Sequence, residues 1–79
     1  MSMHIFLTGH LRKKIRERRI SLIMVEETAR RPELTLSTYS GREERYRKFR
    51  KNYLMVVVKQ ESTKLIILTA HWVDKLPKQ

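Results

Sequence analysis

Two runs near the end of the chain, "YLMVVVK" at residues 53–59 and "KLIILTAHWV" at Lys64–Val73, are apolar on both faces of an extended strand. Met55 and Val57 fall on one side, and Leu54, Val56 and Val58 on the other. Leu65 and Ile67 alternate in the same way against Ile66 and Leu68. Residues 60–63 separate the two runs as a hairpin loop. Ahead of them, at about residues 45–50, the alternation continues in a different chemistry. Arg45, Arg47 and Phe49 point to one face, and Tyr46, Lys48 and Arg50 to the other. A bulge near Phe49 would bring Tyr46 and Phe49 to the same side.

The first half of the chain carries helical spacing instead. After an extended lead-in or short strand at residues 4–8, Thr8 is placed to cap a short helix over residues 10–19, with Gly9 in its first turn. Leu11 and Ile15 sit one turn apart as its buried stripe, while Arg12, Arg16 and Arg19 form a solvent-facing row. Ser21 is the next N-cap, and Ile20 and Val25 occupy the positions of a hydrophobic staple. Leu22, Val25 and Ala29 define the inward face of this second helix, which Pro32 stops at or before Arg31. Arg30 and Arg31 in its last turn suit the helix dipole. Residues 33–40 read as a connector with some extended structure.

Together these patterns predict one α+β domain spanning residues 1–79. Two short N-terminal helices pack on a three- to four-stranded antiparallel sheet, in the order β-α-α-β-β-β. Two short helices cover one face of such a sheet. Because the strands are apolar on both faces, the other face calls for the connector, the C-terminal tail or a second subunit, and a homodimer is the expectation.

Charge sharpens the picture. The 79 residues hold 18 Lys and Arg against 8 Asp and Glu, a net charge of +10. That excess on a small domain implies a polyanionic partner: nucleic acid, an anionic membrane surface or an acidic protein. The basic helix has too narrow an apolar stripe for a membrane surface, and no apolar stretch approaches the roughly 20 residues that span a bilayer. With no cysteine and no cleavable leader pattern at its start, the chain is expected in the cytoplasm, without disulfides or a thiolate metal site.

Three places could carry chemistry. His10, Lys14 and Arg18 lie on adjacent turns of the first helix, a phosphate cradle in which a histidine near neutrality shuttles a proton. Read structurally, His10 bonds a carbonyl and the two long stems cover the core. The basic strand offers Arg45, Arg47 and Lys48 for phosphates and Tyr46 to stack on an unpaired base. Its structural reading is a charged edge strand, with Glu43 and Glu44 pairing some of the arginines. His71, near the end of the last strand, shares a face with Thr69 and Val73, while Trp72 takes the other face with Ala70. The three histidines have no recognisable metal spacing, and there is no glycine-rich phosphate loop or nucleophile elbow. No cofactor is expected. Of enzymatic reactions, metal-independent RNA cleavage suits these residues best, with His10 and His71 as acid and base and the cations stabilising the phosphorane-like charge.

The order of "HLRKKIRERRIS", an acidic helix ending near Pro32, "YRKFRKNYLMVVVK" and "KLIILTAH" resembles the family catalogued as domain of unknown function 4258. The resemblance runs from about His10 to His71. His10, Arg18, Ile20 and Thr69 match its pattern. Lys14 stands where that family usually has Arg, keeping the charge and losing the bidentate fork. Arg19 replaces a glycine and must take the turn between the helices without glycine's freedom. His71 falls at the usual aromatic position. The layout is also similar to small RNase toxins of the RelE/ParE and BrnT kind. That similarity implies RNA as substrate and an acidic antitoxin as partner. A non-catalytic nucleic-acid-binding module and an interaction protein docking an acidic partner are the alternative readings.

Overall fold

The computed structural model describes residues 4–78. The chain runs β1 (His4–Leu7), α1 (Gly9–Glu17), α2 (Leu22–Arg30), β2 (Leu34–Ser37), a single 3-10 turn at Tyr39–Gly41, β3 (Arg42–Phe49), β4 (Asn52–Glu61) and β5 (Lys64–Val73). The strands form one sheet in the order β1-β5-β4-β3-β2. β2 through β5 are an antiparallel meander, and β1 lies parallel to β5, pairing Ile5 with Leu65 and Leu7 with Ile67.

The α+β class and the helix pair match the sequence expectation, but the sheet is five-stranded and mixed. The connector adds the extra strand: its segment "LTLS" alternates apolar and polar residues and pairs with β3, Leu34 opposite Tyr46 and Leu36 opposite Glu44. The expected lead-in strand "HIFL" makes the sheet mixed, pairing with the edge of β5 left free by the meander. Between β1 and β5 the chain passes through both helices and three strands rather than a hairpin, and the pair runs parallel.

Local chemistry fixes the helices. The Thr8 hydroxyl accepts the Leu11 amide at 3.0 Å, and the Ser21 hydroxyl accepts the Ile23 amide at 3.2 Å. α1 ends in a Schellman motif: the Ile20 amide donates to the Ile15 carbonyl at 2.8 Å and the Arg19 amide to the Arg16 carbonyl at 3.3 Å. Ile15 and Ile20, the apolar pair of that motif, are both buried. In α2 the inward residues are Val25, Thr28 and Ala29, with Leu22 left 40% exposed. The buried Thr28 hydroxyl is satisfied by the Met24 carbonyl at 2.8 Å.

The helices cover one face, α1 against β5 and α2 against β4 and β3. Leu11, Ile15, Val25 and Ala29 close there on Leu54, Val56, Val58, Leu65, Ile67 and Ala70. One irregularity decides which strand residues meet them. Val57 pairs with Thr69 and Val58 with Ile67, so Leu68 is an extra residue in β5. This bulge reverses the alternation, and Ala70 and Trp72 join Leu65 and Ile67 on the helical face. No helix among the described residues is long and apolar enough to cross a membrane.

Candidate nucleic-acid interface

Helix α1 and the cap that follows hold Arg12, Lys13, Lys14, Arg16, Arg18 and Arg19 against a single acid, Glu17. Burying Leu11 and Ile15 turns the other faces outward, so Arg12, Lys13, Arg16 and Arg19 are exposed. Among the described residues these four have no ion-pair partner. Lys14 pairs with Glu17 at 3.6 Å. The Arg18 guanidinium reaches across to donate to the Ala70 carbonyl at 2.9 Å, on the stretch of β5 beyond the last β1 pair. His10 is exposed in the first turn of the same helix. His10, Lys14 and Arg18 thus share α1, with Lys14 and Arg18 each engaged by a near neighbour.

Two of the β3 arginines, Arg45 and Arg47, are committed elsewhere, while Arg42 is exposed. Arg45 donates to the Ala29 carbonyl and, at 2.8 and 3.1 Å, to the Glu43 carboxylate. Arg47 donates to the Arg31 carbonyl at 2.7 Å and pairs with Glu27 at 3.2 Å. Both side chains therefore satisfy carbonyls at the C-terminus of α2, where a helix leaves acceptors unpaired and the dipole favours cations. Tyr46 points to the opposite face, only 6% exposed, and donates its hydroxyl proton to Glu44 at 2.9 Å. Burial, then the Glu44 hydrogen bond and charge, push its pKa up to about 12. A ring so enclosed presents no face for a base. Lys48 is exposed beside it, its ammonium 5.8 Å from the centre of the Tyr53 ring. The ladder from Arg42 to Phe49 is unbroken, so Phe49 stays opposite Tyr46 and packs on Trp72.

His71 pairs with Met55 on the face away from the helices, and is half-buried there. The sequence-derived candidates therefore separate. His10, Lys14 and Arg18 belong to α1, Arg45 and Arg47 to the seam between α2 and β3, and Tyr46, Lys48 and His71 to the second face of the sheet.

The solvent-facing row Arg12, Arg16 and Arg19 read from helical spacing is exposed, and Lys13 joins it. One feature of the surface escapes a reading by residue type: a cleft where the β3–β4 turn meets Met24 and Trp72, lined also by Phe49, Arg50, Lys51 and Asn52, with a volume of about 500 Å³. Among the described residues no group of three or more His, Asp or Glu side chains could hold a metal ion. Compared with protein-family models, curated proteins and solved structures, the chain matches none.

Proposed function

We propose that this protein binds RNA through the outer face of α1, as a small basic domain of the toxin-like ribonuclease kind. The observation that carries the reading is the exposed, unpaired set Arg12, Lys13 and Arg16 on a helix with one acid, with Arg19 in the turn that follows. Cations this close together along the chain can meet several phosphates of one strand. The sequence resemblance to the domain of unknown function 4258, and the similarity of the expected layout to RelE-like toxins, add support by analogy.

Binding to a single strand through four such contacts gives an affinity that falls with salt at a slope of about −3 on a log–log plot, at roughly 0.7 per contact. Arg12→Glu combined with Arg16→Glu should halve that slope or more while the circular dichroism stays native. A parent slope near zero would remove the reading.

Cleavage asks more of the site. A base must take the ribose 2′-hydroxyl proton, and an acid must protonate the leaving oxygen. His10 lies on the cationic helix and His71 on the other side of the sheet, so His10 is the histidine that this reading places beside the phosphates. Turnover of RNA in chelator, measured for the parent, His10→Ala and His71→Ala, separates the cases. Loss in His10→Ala supports a proton-transfer role, whereas equal turnover in all three leaves a binding module.

A second copy of the chain is the partner this reading gives to the sheet's second face. Met55, Val57, Ile66 and Leu34 gather there with no helix layer over them.

A further inference from the structure

Phe49 and Trp72 meet edge to face on the helical side of the sheet, their ring centres 6.3 Å apart and their planes at 85°. Such a pair leaves one face of each ring free of the other. With Met24 they form the apolar wall of the cleft of about 500 Å³ at the end of the β3–β4 hairpin, a volume within the range of small-molecule sites, about 300–1,000 Å³. Its rim is cationic and polar. Arg50 and Lys51 are the two residues of the turn between Phe49 and Asn52. Both are exposed, and neither has an ion-pair partner among the described residues. Asn52 offers an amide with both donor and acceptor.

The turn is built at a cost. Arg50 has φ +62°, the left-handed conformation in which a hairpin turn ordinarily places Gly or Asn. The strand ladder on either side fixes where the Arg50 backbone sits, and its exposed guanidinium is free to meet a phosphate at the rim of the cleft. The cleft also adjoins the basic helix. Trp72 lies two residues beyond Ala70, whose carbonyl anchors Arg18, a rise of about 7 Å along the strand.

We infer that this cleft takes the base of an unpaired nucleotide. The ring stacks in the Phe49–Trp72 wall, Arg50 and Lys51 hold its phosphate, and Asn52 meets the base edge. The inference rests on the RNA-binding reading and deepens it: α1 supplies affinity without regard to bases, and the hairpin cleft supplies a preference for bases over bare phosphate.

Trp72 is the only tryptophan in the chain, so its fluorescence reports on the cleft directly. The experiment titrates the protein at low salt with a short single-stranded oligonucleotide and with an abasic chain of the same length and charge. The expected result is quenching of Trp72 and its protection from acrylamide by the intact oligonucleotide alone, with at least fivefold tighter binding than the abasic chain. Phe49→Leu, checked for folding by circular dichroism, should erase that difference and leave abasic binding unchanged. The acrylamide comparison on the parent stands without the variant. Equal binding of both chains with unchanged Trp72 emission overturns the cleft and leaves the α1 reading intact. If neither chain binds, the RNA reading fails, and adenosine 5′-monophosphate alone then decides: saturable quenching keeps the nucleotide site, and none overturns it.

Discussion

Tyr46 sits in the most basic strand of the protein, yet its chemistry is set by one acid. Its hydroxyl donates a hydrogen bond to Glu44, and burial with that neighbouring charge raises its pKa to about 12, against an unfolded value near 10. Below pH 10 both states keep the proton and the contribution to stability is whole. Between about pH 10 and 12 the unfolded chain ionises first, so stability falls by an amount on the order of 2 kcal/mol. Denaturant melts of the parent and Tyr46→Phe across that window should show a shallower alkaline decline in the variant, with lysine ionisation common to both. Parallel curves would contradict the assignment. His71 teaches a different lesson at the same scale. Strict alternation along "KLIILTAHWV" would put it on the face of Leu65 and Ile67, and so on the side of α1. The extra residue Leu68 reverses the alternation and turns His71 away. A bulge there has no composition signal, since every residue around it is an ordinary strand former. The histidine's position was therefore illegible although its strand was plain.

Single elements were read more completely. Thr8, Ser21, the Ile20–Val25 staple and Pro32 are local signals that place both helix starts and the end of α2, whereas α1, read over residues 10–19, ends at Glu17. The arginines of β3 face the way alternation requires, but their partners are the carbonyls of Ala29 and Arg31, made available only when α2 docks. Tertiary acceptors of that kind are absent from any window of sequence, so phosphate contacts and helix-end contacts look alike beforehand. The end of α1 has a backbone cause. Its Schellman motif needs a left-handed residue, and Arg19 takes that place at φ +55°. A left-handed non-glycine residue costs roughly 1–2 kcal/mol, partly offset by the greater unfolded-state freedom of glycine. Arg19→Gly should therefore stabilise the fold by about 0.5–1 kcal/mol, a rise of a few degrees in Tm for a domain of this size. Thermal unfolding followed by circular dichroism checks it, and a lower Tm would mean that the Arg19 side chain contributes more than its backbone costs. Because Arg19 also belongs to the exposed cation row, the same variant should bind RNA more weakly even as it melts higher. A stability effect alone would not divide the two measurements in that way.

At the scale of the whole molecule the question is how far two nine-residue helices can shelter a five-stranded sheet. The protein exposes 5816 Å², whereas compact monomers of its 9.6 kDa mass expose about 5100 Å² by the usual scaling. The fold is therefore more open than that scaling gives for its mass. On the sheet face without helices Phe6 is 47% exposed, and an isologous pair of such faces would bury it together with its partly exposed neighbours. The cations of α1 lie on the other side of the sheet, so pairing through the second face would keep their repulsion apart. It would also leave both basic helices and both hairpin clefts exposed. Sedimentation equilibrium at micromolar concentration should accordingly return twice the 9.6 kDa chain mass. Val57→Glu, placing a charge in that face, should return the chain mass with the circular dichroism unchanged. Ile23→Glu, on the outer side of α2 where Ile23 is 75% exposed, should leave the pair intact. A parent that sediments as a single chain would mean that the second face is sheltered by its own side chains, of which Met55 and Tyr46 already lie below one-tenth exposure.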